Sequence, residues 1–494
     1  MSQSDFIQDA VKLITVRPGL PSPNPTQAAW QQPPHPTISD AQSPELPSET
    51  DVAVIGSGIT GTAVAHHLLN HDGNLRVTML EARTAVSAAT GRNGGHLVSD
   101  SDSLFPSLVK EIGIDQAIET VRFSEANIRR LKDVIAQLNP EEREAVEFRH
   151  VISTTGLEDQ ESFEEAIDGL KQLLKAVPDS DIKYKVCNKE NASKAFGFHN
   201  VAGVVEQHGV AALWPYRLIT AVLTALRKDF SSRFNLETKT PVLSVHHGEA
   251  SQTFPYTLHT PRGVLRARHV IHCTNGYSGR LIPNLVGKLY PLRGTMSTQK
   301  LGPSFPHLGD RMSWSHISKG AYDASTGHIH LGLYYAQQNA KTGVMFLGGE
   351  SQSLSGLLTS DDSLVSDDAR DTLSSAAPRI WKDASPAEPL KVWSGIMGFT
   401  ADGMPLVGSL PATLTGRSGS GEWIAAGFNG HGMDKCWLSG EALARMVLGE
   451  KEVPGFPKAY LLTARRIESW SAEKAAETLM DHIMLGGTAP TSQM

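Results

Sequence analysis

Asp51-Val-Ala-Val-Ile-Gly56-Ser-Gly58-Ile-Thr-Gly61 is followed shortly by Val77-Thr-Met-Leu-Glu81. The pattern predicts a short buried strand, a glycine-rich turn and a helix with His66 to Asn70 in its last turns. A second strand then ends in an acid twenty positions after Gly61. That is the full context of a dinucleotide fingerprint rather than a bare glycine pattern. Gly56 permits the tight turn, Gly58 lets the backbone approach a pyrophosphate, and Gly61 lets helix and strand pack closely. The helix N-terminus supplies N–H groups and a partial positive charge for the phosphates. Glu81 is placed to accept the ribose hydroxyls, and its charge repels a 2′-phosphate. The fingerprint therefore predicts FAD or NAD, not NADP.

The rest of the chain bounds the class. Its 494 residues suit two or three domains, or an α/β enzyme whose domains interleave. A net charge of −7 shows no basic surplus, so no nucleic-acid partner is expected. Cys187, Cys273 and Cys436 lie far apart and fit free thiols in a reducing compartment. No apolar run reaches the length of a membrane span, and the N-terminus lacks a signal-peptide pattern. A cytoplasmic location is expected. Peroxisomal import stays open by other routes, Thr491-Ser-Gln-Met494 not being the usual signal.

Nine prolines between Pro18 and Pro47 predict an extended rather than helical segment over about residues 1–50. Trp30 and Leu46 give it apolar handles for wrapping over a domain surface, the alternative being a loose leader. From Leu104 to about Ala176 the periodicity is helical, with a second amphipathic run from Phe163 to Val177. Another helix is expected over Tyr216–Phe230. Strands are expected at Val242–Val245, in a hairpin over 256–267, and at His269–Cys273. A mixed α/β insertion follows, with strands near His328–Tyr335 and Val344–Leu347 and a polar loop or helical excursion at Thr359–Ala377. Strand Trp423–Ala426, a glycine-rich turn and a helix over Leu438–Leu448 close the pattern.

Four separated blocks now carry a resemblance. They are the fingerprint with Glu81-Ala-Arg83; Ala89-Thr-Gly-Arg-Asn-Gly-Gly-His96; Cys273-Thr-Asn-Gly-Tyr277; and Asp402-Gly-Met-Pro-Leu-Val-Gly408 with Gly427-Phe-Asn-Gly-His-Gly432. Together they resemble the D-amino-acid-oxidase-like family of FAD-dependent oxidoreductases. The nearest branch holds glycine oxidase, sarcosine oxidase and γ-glutamylputrescine oxidoreductase, and the proline-rich leader is like that of fungal members. The resemblance implies an α/β fold, a Rossmann-like FAD-binding ββα sandwich joined to a mixed-sheet α+β substrate domain. It implies a leader at 1–48, an FAD domain from 49–103, 202–285 and 389–455, a substrate domain from 104–201 and 286–388, and a helical tail at 456–494.

The same resemblance implies FAD contacts from Gly56, Ser57, Gly58, Ile59, Thr60 and Gly61, then from Glu81, Ala82 and Arg83. The next block supplies Thr90, Gly91, Arg92, Asn93, Gly94, Gly95 and His96, with Arg92 as a phosphate or carboxylate partner or a bonder of loop carbonyls. Val242 is expected to meet the adenine through its backbone, and Thr274, Asn275 and Gly276 to follow. Gly427, Phe428, Asn429, Gly430, His431, Gly432 and Met433 complete the set. Their turn is expected to aim the positive end of the last helix at the flavin pyrimidine, where charge develops on reduction. The implied chemistry is hydride transfer from a carbon bearing an amine to flavin N5. O₂ or another acceptor then takes the electrons.

Two departures matter. Sarcosine oxidases tether flavin through a cysteine before a Thr-x-Asp segment, and Trp393–Asp402 holds none; a noncovalent flavin is expected, with a histidyl link at His96 as the alternative. They also carry a lysine that helps O₂ react, where this chain has Phe346, which leaves a dehydrogenase open. His96, His431 and Arg293 are the candidate catalytic or substrate residues, Arg293 as a carboxylate holder. Tyr334, Tyr335, Trp393, Tyr277 and Trp214 are candidates for an aromatic amine cage. His328 and His330 share a strand face without a third ligand, so no metal site is expected.

Overall fold

The computed structural model describes residues 3–248 and 252–484. The Thr491–Met494 tetrapeptide and the end of the expected tail lie outside them. Among the described residues the chain builds two sheets. The first holds β1 (Glu49–Ile55), β2 (Val77–Leu80), β7 (Phe234–Glu237), β8 (Ser244–His247), β9 (Tyr256–Thr260), β10 (Gly263–His272), β17 (Leu406–Ser409) and β18 (Glu422–Ala426). Its path runs β17-β18-β10-β1-β2-β7, parallel from β18 to β7. Parallel strands covered on both faces need apolar residues at every position. Val52 and Val54 accordingly feed one core and Ala53 and Ile55 the other.

The second sheet holds β3 (His96–Leu97), β4 (Arg149–Leu157), β5 (Lys183–Asn188), β6 (Gly203–Ala212), β11 (Leu289–Gln299), β12 (Met312–Ile317), β13 (Ala321–Asp323), β14 (His328–Gln338), β15 (Met345–Ser353) and β16 (Lys391–Thr400). Its path is β16-β11-β15-β14-β12-β4-β6-β3, antiparallel except where β12 meets β4. β6 and β16 fall in stretches expected to belong to the FAD domain, yet both pair here. β3 falls in such a stretch as well and pairs with β6.

The fingerprint helix Ile59–His71 packs against helix Cys436–Val447. Contact is close because Gly440 faces it: a Cβ there would lie 2.6 Å from the Thr60 carbonyl oxygen.

Three expectations need correction. Residues 3–14 form a helix rather than an extended segment, since the prolines begin only at Pro18 and Phe6, Ala10 and Ile14 recur every fourth residue on a buried face. The helical stretch over Leu104–Ala176 is broken by β4, whose Val151-Ile-Ser-Thr-Thr155 run is rich in β-branched residues. The strand expected at Val242–Val245 starts two residues later, at Ser244. The 359–377 segment resolves into helix Asp367–Ile380, capped by Ser366 Oγ accepting from the Ala369 N–H.

Beyond its helix the N-terminal segment runs extended across both sheets as a strap. Arg17 donates to the Arg280 carbonyl at 2.6 Å, the Thr26 N–H to the Asp362 carbonyl at 2.8 Å, and Gln42 Nε2 to the Thr238 carbonyl at 2.7 Å. Trp30 is buried, its ring stacked on Phe346 at 3.9 Å and set edge-on to Trp214 at 5.0 Å.

Candidate active site

A cavity of about 400 Å³ lies between the two sheets. One wall is the C-terminal edge of the first sheet, where Gly56–Thr60, Glu81, Ala82, Thr274 and Asn275 leave β1, β2 and β10. The opposite wall is built by alternation. Leu292, Gly294 and Met296 of β11, Leu331, Leu333 and Tyr335 of β14, and Met397 and Phe399 of β16 face inward. The turns around Thr90–His96 and Phe428–Met433 close the sides, and Gly19–Pro21 of the strap reach the rim.

At the first-sheet end, Gly58 is the N-cap of the fingerprint helix and has no side chain of its own to cap it. The Ile59 N–H is met by Thr90 Oγ1 at 3.0 Å. Glu81 is held from several sides. One oxygen accepts from the Ser57 N–H at 3.2 Å and Ser57 Oγ at 2.6 Å, the other from the Arg83 N–H at 3.0 Å. The Tyr277 hydroxyl is buried with no hydrogen-bond partner among the described residues.

At the second-sheet end, His96 Nε2 lies 3.1 Å from the Ala336 carbonyl. A carbonyl only accepts, so Nε2 carries the proton and Nδ1 keeps its lone pair. Burial pushes the His96 pKa down to about 4, against the help of that hydrogen bond. Burial likewise lowers His482 to about 4, so both imidazoles are neutral near pH 7.

Behind the Phe428–Met433 turn sits a buried charge cluster. Lys435 Nζ contacts Asp100 at 3.0 Å and Asp434 at 2.8 Å, and His431 Nδ1 lies 3.3 Å from Asp100. Burial works against the Lys435 ammonium, but Asp100 and Asp434 outweigh it and raise its pKa. Asp434 also accepts from Ser124 Oγ at 2.6 Å. Asn429 Oδ1 accepts the Thr400 N–H at 2.9 Å, which ties the turn to β16.

Most expected contacts line this cavity, but several do not. Arg293 sits on the opposite face of β11 from Leu292 and Gly294, its guanidinium near the Asp361 carbonyl at 3.3 Å and Gln352 Oε1 at 3.4 Å. The carboxylate role expected for it is therefore corrected: strand parity turns it away. Arg92 borders the cavity while its guanidinium bonds the carbonyls of Ser87, Thr26 and Ser394 at 2.6–2.8 Å. Carbonyl bonding, the second of its two expected roles, is the one seen. Arg83 pairs with buried Asp362 at 2.9 Å, outside the lining.

Gly61, Gly91, Gly276 and Gly427 lie behind the wall, where backbone carbonyls at the first three and the Thr400 side chain at Gly427 leave no space for a Cβ. At Gly61 it would fall 2.1 Å from the Gly56 carbonyl oxygen, in keeping with its packing role. The N-terminus of helix Cys436–Val447 is already bonded: Gly432 O takes the Cys436 N–H and Asn127 Oδ1 the Leu438 N–H, both at 2.8 Å. Of the aromatic candidates Tyr335 and Tyr277 line the cavity. Trp393 donates to the Arg92 carbonyl at 2.9 Å, Trp214 to the Trp30 carbonyl at 2.6 Å, and Tyr334 faces the far side of β14. Leu331, Leu333 and Met397 were missed, although counting by twos from Tyr335 along β14 would have found the first two. Nothing local to the sequence marked His482 or the strap residues.

The model of the DAO family, described as FAD dependent oxidoreductase, matches residues 51–446. The chain belongs to this family. γ-Glutamylputrescine oxidoreductase of Escherichia coli (strain K12) is 23% identical over 411 residues, covering 81% of this chain and 84% of that one. Among solved structures, glycine oxidase from Geobacillus kaustophilus aligns with a TM-score of 0.62 at 20% identity, over 85% of this chain and 99% of that one. L-amino acid deaminase from Proteus vulgaris aligns with a TM-score of 0.65 at 14% identity, over 87% and 100%. At those identities the structures show a shared fold. This DAO-family chain is thus an FAD-dependent enzyme. Its residues suit FAD: the helix start at Gly58, the anchored Glu81 and the Tyr277 hydroxyl, unpartnered among the described residues, all border one cavity. Among the described residues no helix is long and apolar enough to cross a membrane.

Proposed function

We propose that this chain holds one FAD along the cavity and oxidises a C–N bond of an amine or amino acid. The observation that carries the proposal is the continuity of that cavity from Glu81 and the helix start at Gly58 to the inward face of β11, β14 and β16. On this reading Glu81 accepts the ribose hydroxyls and Val242 meets the adenine. The first turn after Gly58 holds the pyrophosphate. Asn93–His96 and Phe428–Met433 flank the ring. Binding is noncovalent on this reading: burial raises both thiols of the lining, Cys273 and Cys436, the latter to about 12, and so keeps them protonated.

Bound FAD would supply the hydride acceptor that oxidation of the carbon bearing nitrogen to an imine requires. The chain's own part is to orient that carbon, exclude water and keep the amine neutral. The apolar strand face does the first two. His96 Nδ1 offers a lone pair to an amine N–H.

Phe346, under the Trp30 stack, favours an acceptor other than O₂. The bacterial relative's name makes γ-glutamylputrescine the first compound to try. Anaerobic addition of amines and amino acids to the yellow protein tests the proposal: bleaching is expected with at least one, and an unchanged spectrum across a broad panel would refute it. Reoxidation by air, compared with a quinone dye, then reports the acceptor; slow air reoxidation is expected.

A further inference from the structure

We infer that His431 is the base that takes the substrate's ammonium proton, with Asp100 as its positioning residue. This role rests on the FAD reading above and adds the fate of that proton.

An alkylamine, with a pKa of about 10 like that of lysine, arrives as R₂CH–NH₃⁺ near pH 7. It has no free electron pair to help a hydride leave. An N–H bond must break first, its pair staying on nitrogen. That pair then forms the C=N bond, while the C–H bond breaks and its own pair leaves as the hydride that bound FAD would accept. The substrate becomes R₂C=NH₂⁺, and one proton is left for the protein to hold.

The place for it is the cluster behind the Phe428–Met433 turn. His431 and Asp434 border the main cavity, and His431 also borders a smaller one of about 70 Å³ that Asp100 and Lys435 line. Asp100 has both oxygens on Lys435 Nζ, at 3.0 and 3.1 Å. Burial works to raise its pKa, but Lys435 and His431 outweigh it and lower it. Asp434 has its oxygens 2.9 and 2.8 Å from the same ammonium and accepts Ser124 Oγ at 2.6 Å. Burial pushes its pKa up, yet oxygens that accept from an ammonium and a hydroxyl at these distances belong to a carboxylate.

Two carboxylates thus share one ammonium. With a neutral imidazole the cluster keeps one net negative charge out of water, and a proton on His431 brings it to zero. Asp434 is already engaged, which leaves the imidazole to receive it. His431 Nδ1 lies 3.3 Å from Asp100 Oδ2, where a lone pair would face the carboxylate. Nδ1 therefore carries the proton of the neutral ring, and Nε2 takes the new one. The other titratable neighbours stay neutral: burial pushes His96 and His482 down to about 4 and raises the Tyr460 hydroxyl.

The test compares the FAD holoenzyme with His431→Gln in anaerobic stopped-flow reduction from pH 7 to pH 10. Its reductant is γ-glutamylputrescine or, failing that, the member of the amine and amino-acid panel that bleaches best. Without the base only the free amine reacts, so kred/Kd of the variant is expected about 100-fold below wild type at pH 7, the scale of a lost general base. The deficit is expected to close to within about 5-fold at pH 10, where the amine deprotonates unaided. Asp100→Asn is expected to show the same convergence from a loss of about 10-fold. A deficit equal at every pH would mean a structural role and overturn the inference, as would no deficit. A second readout needs no substrate: ¹⁵N NMR of histidine-labelled holoenzyme near pH 9, with His431 assigned by the signal lost in His431→Gln or His431→Asn. Nδ1 is expected to carry the proton, and a neutral ring protonated at Nε2 would overturn the inference while leaving C–N oxidation standing. Bleaching by no member of the panel would remove the proposed function itself and the role of His431 with it.

Discussion

At the residue scale, Glu81 is the anchor of the dinucleotide end. It receives Ser57 N–H, Ser57 Oγ and the Arg83 N–H, so truncation leaves three donors without an acceptor in a buried place. Glu81→Ala is expected to weaken FAD binding about 10- to 100-fold, by the usual loss of charge-assisted hydrogen bonds. Fluorescence titration of the apoprotein with FAD reads this directly; an unchanged Kd would contradict the role. His96 makes a second prediction. Its folded pKa of about 4 lies below the ordinary 6.5, so the unfolded chain binds more protons between those values. Stability is therefore fully present above pH 6.5 and is lost as pH falls toward 4. Tm is expected to drop between pH 7 and pH 4.5, and to drop less in His96→Asn. A steeper fall in the variant would reverse the sign of the assignment. The rate of anaerobic flavin reduction is expected to show no His96 step above about pH 5.

At the element scale, the strap between Pro18 and Pro47 joins distant strands through a few buried contacts. Trp30 fills the space against Phe346 and Trp214, and its indole N–H donates to the Asn93 carbonyl at 2.5 Å. Trp30→Ala is expected to cost about 3–5 kcal/mol in urea unfolding, the range for emptying a buried aromatic site. It also loosens the Asn93–His96 turn, so faster flavin loss is expected with it. A stability change under about 1 kcal/mol would mean that the strap merely covers the surface. Asp362 is the other tie, with Arg83 at 2.9 Å and Arg92 at 3.9 Å. Asp362→Asn leaves two buried guanidinium groups without a carboxylate, and a loss of about 3–5 kcal/mol in the same experiment is expected.

Little of this was legible in the sequence. Prolines announce an extended chain, but nothing local says that Trp30 will meet Phe346 or that the first helix precedes the prolines. The arginines mislead for a related reason. Whether a strand residue faces ligand or core depends on register, and a one-residue step exchanges the faces. Arg293 lies one step from Leu292 and falls on the wrong side.

At the scale of the whole molecule, what could be read was what is local and geometric. The Gly56–Gly61 turn, Glu81 and the Thr90–His96 block each carry their own conformational reason, and these three line one cavity at most of their positions. The interleaving of segments was legible in outline, since the glycine-rich blocks recur after long intervals. The sheet membership of β6 and β16 was not, because pairing partners lie far away in sequence.

The central claim is a noncovalent FAD in this cavity. It is tested most directly by the visible spectrum of the purified protein before and after acid precipitation. Flavin bands are expected in the native protein and free flavin in the supernatant. Yellow colour kept in the pellet would contradict noncovalent binding, and a protein colourless even after addition of FAD would contradict the claim itself.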